Sequence, residues 1–128
     1  MLTKKIDLKG VRGDTFVRAY PLTVDGQPMS PEDAQAFANR FTQRACQVRT
    51  GAGEPVLAEG FVDILTTPPC ITIEIPAWDT EDVDSAYYDV QLTEPRDGHP
   101  RGPLVWTPIT GRIKLVADIT TKAVTPSA

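Results

Sequence analysis

The residues able to do chemistry in this sequence are few and scattered. Arg12-Gly13-Asp14, within LKGVRGDTFVRAY, is the tripeptide that animal integrins recognise, and adhesion would need it at an exposed loop tip. Strand-like sequence lies directly on both sides. Gly13 permits a tight turn and Asp14 can accept a hydrogen bond from its own backbone two residues on, so the expectation is a corner between strands with Asp14 as its structural acceptor. His99, the single histidine, sits between Gly98 and Pro100 in RDGHPRG. A hydrolytic nucleophile needs a base that is itself oriented by a third group, and a solitary loop histidine supplies neither part.

Metal chemistry is as thinly served. Cys46, Cys70 and His99 stand at unrelated spacings that match no structural zinc site. The acidic run DTEDVD, with Asp79, Glu81 and Asp82 and with Glu74 and Asp89 nearby, is the candidate calcium loop, but it lacks the central glycine and terminal glutamate of a helix-loop-helix site. It reads as a solvated turn. GxGxxG, GxxxxGK[ST] and GxSxG are absent. No catalytic, cofactor or metal residue is therefore assigned, and the chain is expected not to be an enzyme. Trp78, at a strand end before the acidic run, and Trp106, in LVWTP, are either lids on the core or anchors for a protein partner, since tryptophan is enriched among interface hot spots. A sugar groove would need aromatic platforms, and few of the nine aromatics are expected to be spare.

The remaining bounds are broad. A chain of 128 residues with 41% hydrophobic and 23% charged positions is an ordinary globular domain. A net charge of −4 argues against a nucleic-acid partner, which normally meets a basic face. No apolar run approaches the roughly 20 residues a membrane helix needs. MLTKKIDLKG has no apolar segment behind its lysines, so no secretory signal is expected, and the two cysteines are expected to be buried thiols.

Alternation rather than helical periodicity dominates the chain. Strands are predicted at Lys4–Leu8, Thr15–Leu22, Phe41–Arg49, Pro55–Asp63, Cys70–Ile75, Ala86–Thr93 and Leu104–Ala117. Ile71, Ile73 and Ile75 share one face of theirs; Tyr88, Val90 and Leu92 oppose Tyr87, Asp89 and Gln91 on another. Asp25-Gly26, RTGAGEP, TTPPC and EPRDGHPRGP are the turns. One segment differs: Ser30 is a candidate N-cap, Pro31 fits the first helical position, and Ala34, Phe37, Ala38 and Phe41 form an apolar stripe, so a short helix should cross one end of the fold. The expectation is an all-β domain over residues 1–118, an antiparallel β-sandwich of about seven strands with one short helix, followed by a tail at 119–128 that a partner would order.

Four motifs in order carry a resemblance. RGDT between two strands, ITIEIPAWDT, YYDVQLTEP and GRIKLVADIT are similar to successive strands and corners of the immunoglobulin-like modules in tailed-bacteriophage structural proteins, such as baseplate upper and minor tail proteins. The similarity runs from Ile6 to about Thr120; it departs at QPMSPEDAQAFANR, which enters the helix, and at DVDSA before the tyrosine strand. What the resemblance implies is a scaffold: a non-enzymatic immunoglobulin-like adaptor of the tail or baseplate. It would be made in the bacterial host cytoplasm, located in the virion, and partnered by other virion proteins or symmetric copies of itself. An exterior capsid decoration protein and a receptor- or carbohydrate-binding module are the alternatives.

Overall fold

The computed structural model describes residues 3–78 and 83–116. In chain order the elements are β1 (Lys4–Lys5), β2 (Leu8–Val11), β3 (Phe16–Pro21), β4 (Thr23–Val24), β5 (Gln27–Pro28), α1 (Pro31–Arg40), β6 (Gln43–Arg49), β7 (Val56–Thr66), β8 (Pro69–Ile75), β9 (Ser85–Glu94) and β10 (Leu104–Val116). The all-β class holds. One curled mixed sheet runs β1-β10-β9-β6-β7-β8-β3, with β2 continuing beside β10, and β4–β5 form a separate small hairpin closed by Asp25-Gly26.

The alternation read from the sequence places the core. Ile71, Ile73 and Ile75 of β8, with Phe16 and Tyr20 of β3, turn inward from one half of the curl; Val48, Tyr88, Val90, Leu92, Ile109 and Ile113 turn inward from the other. The halves meet where the hydroxyls of Tyr20 and Tyr88 hydrogen-bond at 3.0 Å. Burial drives both phenols to higher pKa, so each stays neutral and can serve as donor and acceptor.

Two expectations need correction. The sheet is not wholly antiparallel: β1 and β2 pair parallel to β10, in the registers Lys4↔Ile109 and Leu8↔Lys114's neighbour Ile113. The predicted single strand Lys4–Leu8 is broken at Ile6 and Asp7, whose polar groups hold the chain to β10 and β9. Ile6 N–H donates to Thr110 O (2.8 Å), Tyr88 hydroxyl donates to Ile6 O (2.6 Å), and Arg112 N–H donates to the Asp7 carboxylate (3.0 Å). The second correction concerns β7, which extends past Asp63 to Thr66. Its first half pairs with β6, from Val56 to Gly60, and its second half with β8, from Phe61 to Thr66. A single strand thus serves both halves of the curl.

The helix forms as its sequence directs. Ser30 Oγ accepts from Asp33 N–H at 3.1 Å, Pro31 opens the first turn, and Glu32 and Asp33 favour the positive end of the helix dipole. Its last carbonyls are met from β6: the Arg44 guanidinium donates to Phe41 O (2.9 Å) and Ala38 O (3.0 Å). Ala34 is fully buried, and Phe37 and Phe41 pack on Trp106 of β10 with ring centroids 6.1 and 5.9 Å away. The helix therefore closes one end of the curl, as its apolar stripe predicts.

Candidate functional site

The Arg12-Gly13-Asp14 turn joins β2, on one edge of the curl, to β3 on the other. Gly13 has φ of 81°, a conformation that favours glycine, and Asp14 N–H donates to Val11 O at 3.2 Å. The side-chain anchor is Arg12 rather than Asp14. Arg12 bonds the Val83 carbonyl and forms an ion pair with Asp84, at the entry to β9. Asp14 is exposed, and its carboxylate makes no hydrogen bond among the described residues, so the expected local acceptor role is corrected. The reason is geometric: the turn already closes through its own backbone, and the guanidinium reaches a neighbouring strand that a short carboxylate cannot. Accordingly, Asp14→Ala should change stability by less than about 0.5 kcal/mol, as surface changes do, whereas Arg12→Ala should lose about 1 kcal/mol through the charged bond to Val83 O. Urea melts of the two variants check this; a larger loss for Asp14→Ala would restore the original reading.

His99 is exposed, and its Nδ1 accepts from Arg101 N–H at 3.1 Å. The same loop is tied by His99 N–H to Arg96 O (3.0 Å) and Arg96 Nε to Gly102 O (2.9 Å). This histidine organises a hairpin. Cys46 and Cys70 are both buried and free, and burial, aided by Asp89, pushes the Cys46 thiol up to about 12, far from a thiolate nucleophile. Asp79, Glu81 and Asp82 of the acidic run, and the tail at 119–128, lie outside the described residues.

Trp78 and Trp106, the interface candidates, are each half-buried at separate places. Trp78 stacks on Phe16 at 5.7 Å, and its indole N–H is buried with no acceptor among the described residues. Trp106 belongs to the aromatic cluster under α1.

The structure assembles one concavity that the strand pattern only half announces. Alternation puts Tyr87 and Asp89 on the outward face of β9. Register then sets Gln47 and Thr110 on either side of Asp89, and Arg49 and Arg112 on either side of Tyr87. With Ala52 of the β6–β7 loop as a wall, Gln47, Arg49, Tyr87, Asp89 and Thr110 line a groove of about 370 Å³. Arg49 is held in place by donating to Gln47 Oε1 (2.9 Å) and to Glu54 O. Partial burial raises the Asp89 pKa, while the Arg49 guanidinium and the Gln47 backbone N–H pull it back.

An acid whose pKa is raised by folding binds its proton more tightly in the native state, so native stability falls as pH rises through the window between the ordinary carboxylate value and that of Asp89. Asp89→Asn is thus expected to be more stable than wild type near pH 7 and to lose that advantage near pH 4. Urea midpoints at the two pH values check it; a variant less stable at neutral pH would show that Asp89 braces the fold.

No family model matches the chain, and no curated protein matches it significantly.

Proposed function

We infer that the chain is a non-enzymatic structural module, an immunoglobulin-like adaptor in the tail or baseplate of a tailed-bacteriophage virion. One observation carries the adaptor reading. Several of the polar side chains brace backbone: Arg12, Arg44, Arg49 and Arg96 donate to carbonyls, and Tyr88 to Ile6 O. Meanwhile Phe61 (64% exposed) and Val17 (59%) flank Glu74 in one cross-strand row on the outer face of β7-β8-β3. A rigid body that leaves two apolar side chains outward around a carboxylate is suited to being held by a neighbour.

The immunoglobulin-like part of the reading is supported by strand order. Divided at the β6–β7 pairing, the one sheet has β3-β8-β7 in the order expected of the B-E-D strands of that sandwich and β10-β9-β6 in the order expected of its G-F-C strands. The phage assignment rests on the four-motif resemblance, and capsid decoration is its alternative. Purified particles of the encoding phage should contain the chain at a fixed copy number, and Phe61→Asp should fold normally yet incorporate poorly. Recovery of the wild-type protein in the soluble lysate alone would overturn the reading.

A further inference from the structure

The outward face of β6-β9-β10 carries a concavity of mixed chemistry. It holds an aromatic ring about half exposed, Tyr87 at 49%. Two strand positions away in the same groove stands a carboxylate, Asp89, partly withdrawn from water. Few aromatics were expected to be spare, and Tyr87 is one. Partial burial works against the charged form of Asp89 even with Arg49 and the Gln47 backbone N–H beside it, so packing alone does not call for a carboxylate on this outer face. Groups that burden stability while converging on a concavity are characteristic of ligand sites.

The groove also restricts the class of ligand. Arg49 lies close enough to Asp89 to oppose its charge, and Arg112, on the other side of Tyr87, donates to Ser85 Oγ (3.3 Å) and does not line the groove, so neither a strong anion nor a strong cation gains much there. Neutral hydroxyl-rich molecules fit better: a carboxylate accepts from two adjacent hydroxyls, and the Gln47 amide and Thr110 hydroxyl can add bonds along the rim. The electron-rich face of Tyr87 suits the C–H face of a sugar ring. A volume of about 370 Å³ lies at the small end of ligand sites, with room for one or two rings and no more.

We propose that the groove between β6, β9 and β10 binds a neutral hexose unit of a glycan, its ring stacked on Tyr87 and two adjacent hydroxyls donated to Asp89. The site goes beyond the adaptor role and does not depend on it, since the Phe61 row lies on the other half of the sheet. A single such site binds weakly, with Kd on the order of 1 mM, and gains strength only when many copies act together.

The test is a titration of the ¹⁵N-labelled protein with the methyl glycosides of glucose, galactose and N-acetylglucosamine, each to about 50 mM, well above the expected Kd. At least one glycoside should move amides of residues 47–52, 87–89 and 110 selectively. Tyr87→Ala and Asp89→Asn should each weaken that response about tenfold or more, although Asp89→Asn should be the more stable protein at neutral pH. Phe61→Asp should bind as wild type does. Silence with all three glycosides, shifts centred elsewhere, an equal response to glycerol, or binding that survives both groove variants would each overturn the proposal. Loss of particle incorporation in Phe61→Asp with glycoside binding intact would separate the two functions.

Discussion

Gly111→Ala should detach the first strands from the domain. A Cβ at this position would lie 1.9 Å from Ile6 O, 2.7 Å from Ile6 C and 2.9 Å from the Tyr88 ring. Two of those atoms are backbone and the third belongs to a fully buried side chain, so no rotamer change relieves the clash. The link between β1 and β2 must move outward. That movement breaks the Ile6–Thr110, Tyr88–Ile6 and Arg112–Asp7 hydrogen bonds together and opens the end of the core near Leu8. Overpacking combined with broken buried bonds implies a loss of about 3–5 kcal/mol. Hydrogen exchange should show amides of residues 4–11 losing protection before the rest of the sheet. A melting midpoint within about 2 °C of wild type, worth less than 1 kcal/mol in a domain of this size, would mean that the strands tolerate displacement.

Phe41→Ala should be the next most damaging. Phe41 is 1% exposed and ends α1, with ring centroids of Phe37 and Trp106 at 5.0 and 5.9 Å and the Arg40 guanidinium 4.9 Å above its ring. Removing a buried phenylalanine leaves a void that close-packed neighbours fill only in part, for a loss of about 3–5 kcal/mol. The helix is ten residues long, too short to persist without the face it packs on, so far-ultraviolet dichroism should fall with the transition. In a double variant with Trp106→Ala the losses should add to less than their sum, because both rings wall the same void. Full additivity would show that the helix is held by Ala34 and Arg44 instead.

These two sites illustrate what was readable from the chain and what was not. The strands at 16–21, 43–49, 69–75 and 85–94 follow from alternation, because each buries one face. The helix follows from Ser30, Pro31 and its stripe, and Asp25-Gly26 from turn chemistry; these are local signals. The parallel pairing of β1 and β2 has no local signature, since it depends on which distant strand offers hydrogen bonds to Ile6 and Asp7. The change of partner along β7 at Gly60 is likewise tertiary: a Cβ there would crowd Glu74 O at 3.0 Å and Cys46 Sγ at 3.2 Å. The groove lies between these cases. That Tyr87 and Asp89 share a face was visible in YYDVQL, but that Gln47, Arg49 and Thr110 come to stand around them is a consequence of register.

The pairing of the first strands with the last has a temporal consequence. Asp7 and Arg112 are bonded across a separation of 105 residues, and Thr3 reaches Thr107 across 104. A ribosome delivers residues 3–11 about a hundred residues before their partner strand, so over that interval the segment lacks the strand it pairs with. Closing so long a loop is entropically unfavourable and is rewarded only when the final contacts form, which places the domain among the high-contact-order folders that take milliseconds to seconds. The lysines at positions 4, 5 and 9 suit that interval: a waiting strand that carries charge is a poor template for pairing with another unfinished chain.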